Sequence, residues 1–153
     1  MLSNILVAFD GSGHSLRAAR FAAKVARIIP GSKCTLITVL TFTREEARFL
    51  GASSEEFEKA EKSLEAKIFG DIKNYFSGMN IPLITVFRDG DPAREILKYA
   101  EVYHIDHIVI GSRGLGNIKG TLLGSVSSKV IHNSKCPVTI IKDKINATPE
   151  SAK

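Results

Sequence analysis

Short apolar runs alternate with longer stretches of helical period along this chain. Residues 5–9, 35–40, 83–87, 108–110 and 138–141 are nearly continuous in Val, Ile, Leu, Phe and Thr. Apolar residues at consecutive positions, many of them β-branched, predict parallel strands covered on both faces. Between them the period changes. Ala18, Phe21, Ala22, Val25, Ile28 and Ile29 form one stripe at i, i+3, i+4 spacing. Phe57, Ala60, Leu64, Ile68, Ile72 and Tyr75 or Phe76 form a second, entered through Ser53 and Glu56 at capping-box spacing. Asp91-Pro92 reads as an N-cap with proline at the first helical position, turning Ala93, Ile96, Leu97 and Ala100 inward. A last helix is expected after Gly124-Ser125, burying Val126, Val130 and Ile131.

Strand and helix in alternation predict an α/β fold, an open parallel five-stranded sheet with helices on both faces. Residues 1–142 read as one domain and 143–153 as a polar C-terminal tail containing Pro149. Residues 41–54 are long for a strand-to-helix connection, and either a short helix or a mobile flap fits them.

The 153 residues include 21 Lys+Arg, 16 Asp+Glu and two cysteines. No run approaches the roughly 18 apolar residues of a membrane span. The opening Met-Leu-Ser-Asn lacks the basic region of a secretory signal, so a cytoplasmic location is expected. Charge is uneven. From His107 to Lys142 there is no acid, while Arg113, Lys119, Lys129, Lys135 and Lys142 all fall there, so the whole +5 excess belongs to one segment. Such a segment suggests a local anion site. The basic residues have no interleaved aromatic platform, which argues against nucleic acid. Cys34 and Cys136 form no C-x-x-C and have no metal-ligand spacing to a histidine, and they read as reduced and structural.

Ligands of open α/β sheets sit beyond the carboxyl ends of the strands. Two loops there are permissive: Asp10-Gly11-Ser12-Gly13 after the first strand, and the run that starts at Gly111 after the fourth. The second loop reads G-x2-G-x9-G-S through Gly111, Gly114, Gly124 and Ser125. Glycines let backbone amides approach phosphate oxygens, and a helix opening at Gly124-Ser125 offers free amides and the positive end of its dipole. Ser125 and Ser127 add hydroxyls, and Arg113 and Lys119 add charge. Neither G-x4-G-K-[ST] nor a G-x-G-x-x-G after the first strand occurs, which excludes the common P-loop and dinucleotide fingerprints.

With this loop, the chain resembles the universal stress protein family, and within it the subgroup whose G-x2-G-x9-G-[ST] loop binds ATP. Asp10-Gly11-Ser12 with Ser15, Gly90-Asp91-Pro92, Asp106 ahead of the fourth strand, and Cys136-Pro137-Val138 extend the resemblance from Asn4 to about Lys142. The resemblance implies a strand order of 3-2-1-4-5. It implies that Asp10 and the adjoining Ala8-Phe9 backbone meet the nucleoside and that Val39 borders the adenine. Gly111, Gly114, Gly124, Ser125, Val126 and Ser127 would then hold the phosphates of ATP with Mg²⁺ or Mn²⁺, beside the charge that Arg113 adds. It also implies a homodimer through the fifth strand, Val138–Ile141. Thr38 departs from the family pattern, in which many members place a histidine before the valine.

Candidate general bases do not converge on this site. His104 and His107 flank the start of the fourth strand, His132 lies near the end of the last helix, and His14 reads as a solvated first-turn residue. The expectation is therefore an ATP-binding stress regulator with at most slow hydrolysis, with no catalytic or dedicated metal-ligating residue assigned. Two alternatives stay open: a true ATPase or autokinase using Asp10, Lys119 and Ser125, and a nucleotide-free dimeric scaffold.

Overall fold

A computed structural model describes residues 2–114 and 123–142. Lys119 and the 143–153 tail lie outside the described residues. The five strands are β1 (Asn4–Ala8), β2 (Lys33–Leu40), β3 (Leu83–Asp89), β4 (His107–Gly111) and β5 (Val138–Ile141). They form one parallel sheet in the order β3-β2-β1-β4-β5. Five helices are interleaved with them: α1 (Gly13–Ile28), α2 (Arg44–Phe49), α3 (Ser54–Gly78), α4 (Pro92–Val102) and α5 (Ser125–Asn133).

Period-two alternation in the central strands sends apolar side chains to both faces, which gives two cores. Ile5, Val7, Leu36 and Val109 pack against α1 and α3, with Phe69, Ile72 and Phe76 wholly or nearly wholly buried. Leu6, Ile37, Ile108 and Ile110 pack against α4 and α5 through Ile96, Ala100 and Val130. Cys34 sits in the first core, where burial pushes its thiol up to about 12 and leaves it inert.

Two predicted stripes are corrected. On α1 the contact is carried by Ala18, Ala19, Ala22, Ala23 and Ala26, while Phe21 and Ile28 are 40% and 79% exposed. Alanines win this face because a small side chain lets the helix lie close to the sheet. On α5, Val130 is buried but Ile131 faces out. Residues 41–54 contain the short helix α2. Thr43 and Glu46 cap it reciprocally, as Ser53 and Glu56 cap α3.

The amino-terminal edge of the sheet is stitched with side chains. Asp106 Oδ2 accepts from the Ser3 N–H at 3.0 Å, the Ser3 hydroxyl at 2.7 Å and the Asn4 N–H at 3.0 Å. Asn4 Nδ2 donates to the carbonyls of Tyr103 and His104.

Candidate functional site

β1 and β4 are neighbours, and their following segments leave the sheet towards opposite faces: α1 lies on one, α5 on the other. A crevice must open at that carboxyl edge. It is a cavity of about 570 Å³. Ala8, Phe9, Asp10, Val39, Gly111, Arg113, Gly114, Gly124, Ser125, Val126 and Ser127 all line it. These eleven candidate residues come from four separate stretches of chain, so their convergence is a product of the fold.

The Asp10 side of the cavity is a tight turn. Asp10 Oδ1 accepts from the Ser12 N–H at 2.9 Å, and the Asp10 N–H donates to Ser15 Oγ at 3.3 Å. Ser12 in turn caps α1 by accepting from the Ser15 N–H. Across the cavity, a Cβ at Gly114 would lie 2.8 Å from Asp10 Oδ2, so a side chain there would drive the carboxylate from its place. Gly111 is needed for a different reason. A Cβ there would meet His14 Cβ at 2.8 Å and the His14 backbone at 3.0 Å, so this glycine permits α1 to cross β4. His14 is correspondingly half-buried against β4, not a solvated first-turn residue.

The two legs of the glycine loop are pinned together. The Ser112 carbonyl accepts from the Gly124 N–H at 2.7 Å and from Ser127 Oγ at 3.0 Å. Ser112 itself is 4% exposed, and its N–H donates to the Ile141 carbonyl. Ser127 is thus a structural hydroxyl as well as a cavity-lining one. Gly124 has an ordinary extended backbone (φ −73°), and a Cβ on it would find only van der Waals neighbours at 3.5 Å or more. Neither strain nor crowding requires glycine at that position. What glycine does there is leave α5 without a side-chain cap.

The other end of the cavity is apolar. Ile37, Val39, Leu40, Leu64, Ile68 and Ile96 line it. Leu64 and Ile68 had read only as positions on a helical stripe; α3 is long enough to overhang the sheet edge and bring them to the cavity. Thr38 and Thr41 also line it, as does Ser15. In the sequence Ser15 reads only as part of the family-like opening and Thr38 only as a departure from the family pattern, and neither reads as lining the site.

Charge is less concentrated than its distribution along the chain implied. Of the described basic residues in the acid-free segment, only Arg113 lines the cavity. Lys129 lies in the groove between α4 and α5, and Lys135 Nζ pairs with Glu101 Oε1 at 2.6 Å on the surface. His107 sits at the other end of β4, with Nε2 2.7 Å from Thr139 Oγ1, and burial lowers its pKa despite the opposing charge of Asp106. Asp10 is the one carboxylate among the described cavity residues, and no cluster of three potential metal ligands occurs among the described residues. No described helix is long and apolar enough to cross a membrane.

Residues 1–142 match the model of the universal stress protein family. Universal stress protein YxiE of Bacillus subtilis is 31% identical over 152 residues, covering 93% of this chain and all of that protein. Among solved structures, that of MJ0577, a Methanocaldococcus jannaschii protein, superposes with a TM-score of 0.80 at 26% identity, over 94% of this chain and 98% of that one. UspA from Lactobacillus plantarum follows with a TM-score of 0.77 at 25% identity, over 92% and 97%. More distant members that share the fold were crystallised with AMP, dAMP or cAMP.

Proposed function

The chain belongs to the universal stress protein family, and from that premise we propose that the cavity binds an adenine nucleotide, ATP with Mg²⁺, and that the protein is a nucleotide-dependent stress regulator. The observation that carries the reading is the cavity itself. It has an apolar end at β2, α3 and α4 and an amide-rich end at Gly124–Ser127, matching the apolar and anionic ends of a nucleotide. Relatives crystallised with adenine nucleotides support the same class of ligand.

Strand parity supports adenine as the base. The Ile37 carbonyl faces β1, where it accepts from the Phe9 N–H at 2.9 Å, and the Leu40 carbonyl faces β3, where it accepts from Gly90. Val39 shares the parity of Ile37, so its N–H and C=O face β1, which ends at Ala8. An adjacent donor and acceptor suit the N1 acceptor and N6 amino donor of adenine, and oppose the reversed pair of hypoxanthine. At the opposite end, the uncapped amides of α5 and its dipole favour phosphate oxygens, with Arg113 adding charge. Mg²⁺ would be held mainly by the phosphates and water, as is usual for this ion, with Asp10 the one carboxylate among the described cavity residues.

Regulation by binding, with at most slow hydrolysis, fits a cavity whose described lining holds one carboxylate, Asp10, and no histidine. In a homodimer the edge strand β5, half-buried along its length, would pair or be covered. Calorimetry with ATP–Mg²⁺ tests the central reading: wild type binds, and Gly124→Val loses about tenfold or more in affinity while keeping its melting temperature. Equal affinity of the two proteins would remove the loop from the mechanism. Light scattering at micromolar concentration reads the dimer, and a monomer alone would overturn it.

A further inference from the structure

Thr38 is 3% exposed, lines the cavity, and donates its hydroxyl to the Phe9 carbonyl at 2.6 Å. That carbonyl is the next acceptor in the β1–β2 ladder. The series runs from Lys33 N–H to the Ser3 carbonyl through to Phe9 N–H on the Ile37 carbonyl, and its following member would join the Val39 N–H to the Phe9 carbonyl. Among the described residues that bond is not made. The side chain of Thr38 leaves the strand on the face of Leu36, the face on which Phe9 packs, so its hydroxyl holds the Phe9 carbonyl from that side of the sheet.

We propose that Thr38 is a positioning residue for base recognition: by holding the Phe9 carbonyl it ends the β1–β2 ladder one bond early and keeps the Val39 N–H available to the base. The proposal rests on the reading of the cavity as an adenine-nucleotide site, but its backbone half does not need the nucleotide. A carbonyl oxygen has two lone pairs, so the hydroxyl acts by the direction in which it holds the Phe9 carbonyl and not by filling its only acceptor site, and the Val39 amide is left facing the cavity. Thr38 therefore acts on affinity without touching the base's hydrogen-bonding edge.

Thr38→Val, which keeps the shape and removes the hydroxyl, and Thr38→Ser, which keeps the hydroxyl, form the test. The first readout is exchange of the Val39 amide in nucleotide-free protein. It is expected to be fast in wild type and Thr38→Ser, and slower by about tenfold or more in Thr38→Val as the amide takes the Phe9 carbonyl. The second is the ratio of ATP to ITP affinity, expected to favour ATP in wild type and Thr38→Ser and to shrink by about tenfold in Thr38→Val. Because both nucleotides carry the same phosphates, the ratio isolates the base. Unchanged Val39 exchange in a folded Thr38→Val protein overturns the proposal, as does an unchanged ratio. If Val39 exchange slows in the valine variant while wild type binds no adenine nucleotide, the function proposed for the cavity fails and the hold of Thr38 on the ladder stands.

Discussion

Helices α4 and α5 both start at the carboxyl edge of the sheet and pack on the same face, yet their first turns are finished differently. Asp91 caps α4, its Oδ2 accepting from the Arg94 N–H at 2.9 Å, with Pro92 beside it. Gly124 stands at the same position before α5 and supplies no side chain. Ser12, Thr43 and Ser53 cap α1, α2 and α3 as Asp91 caps α4. Four helices satisfy an N-terminal amide internally. The fifth, whose first turn lines the cavity, has no side-chain cap. A side-chain cap is worth about 1 kcal/mol over alanine but only a few tenths over glycine, so leaving α5 uncapped costs little stability and leaves its end open to an anion.

Exchanging the two caps is the sharpest way to break this contrast. Gly124→Asp supplies α5 with the acceptor it lacks, and its backbone dihedrals and surroundings tolerate a Cβ. Stability is expected to hold or rise slightly, while ATP affinity falls by about a hundredfold, because a carboxylate then occupies and repels the phosphate position. Thermal melting and calorimetry on one sample read both. A loss of stability with affinity intact would refute the assignment of that helix end to the ligand.

Gly111→Ala separates packing glycines from ligand glycines in the same loop. The 2.8 Å approach to His14 Cβ, with backbone immediately behind it, forces α1 away from β4 and is expected to cost about 1–3 kcal/mol, read by denaturant unfolding. Gly124→Ala, with only ordinary neighbours, is expected to change stability by a few tenths of that.

Asp91→Ala is the counterpart of the first exchange. It removes about 1 kcal/mol of stability through the lost cap and leaves nucleotide affinity within about twofold, since no ligand is expected at that helix end. Calorimetry showing a large affinity loss would mean that the α4 terminus belongs to the site as well.

The smallest effect is one of pH. Backbone and side-chain hydrogen bonds from Thr43 and Ser53 hold the Glu46 and Glu56 carboxyls below their ordinary value of 4.5. A depressed folded-state value means the contribution is complete above pH 4.5 and disappears as the pH falls through the folded-state value. Amide protection factors, which are exchange rates corrected for the intrinsic pH dependence, are therefore expected to fall in the first turns of α2 and α3 on acidification below pH 4.5, while those of the first turn of α5, which has no carboxylate cap, stay unchanged.

Much of this was legible in the residues. Strand runs read from apolar continuity coincide with β1 to β5 to within about two residues, because a strand covered on both faces shows no polar face to confuse the reading. Capping residues marked the starts of α3 and α4, and the same signature, Thr43 with Glu46, was available for α2 inside a stretch that looked only like a long connection. Helix α1 shows where the pattern misleads: hydrophobicity ranks Phe21 and Ile28 above alanine, whereas close approach to a sheet ranks alanine first. At the cavity, the loop spacing named the glycines but could not separate their duties. Gly111 clears a helix and Gly114 clears a carboxylate, while Gly124 only leaves a helix end bare.

The sequence by itself determined the alternation of strands and helices, the caps, and the residues flexible or charged enough to meet an anion. These are local properties, set by side-chain chemistry and spacing along one stretch of chain. The tertiary structure decided which carboxyl ends face each other, that α3 overhangs them with Leu64 and Ile68, and that the Thr38 hydroxyl takes the Phe9 carbonyl. Those depend on distances between residues up to about a hundred positions apart, which only the packing of helices on a parallel sheet fixes. The positive charge shows the division plainly. Along the chain it forms a single acid-free segment, but in three dimensions Lys135 goes to a surface pair with Glu101, and Arg113 turns to the cavity.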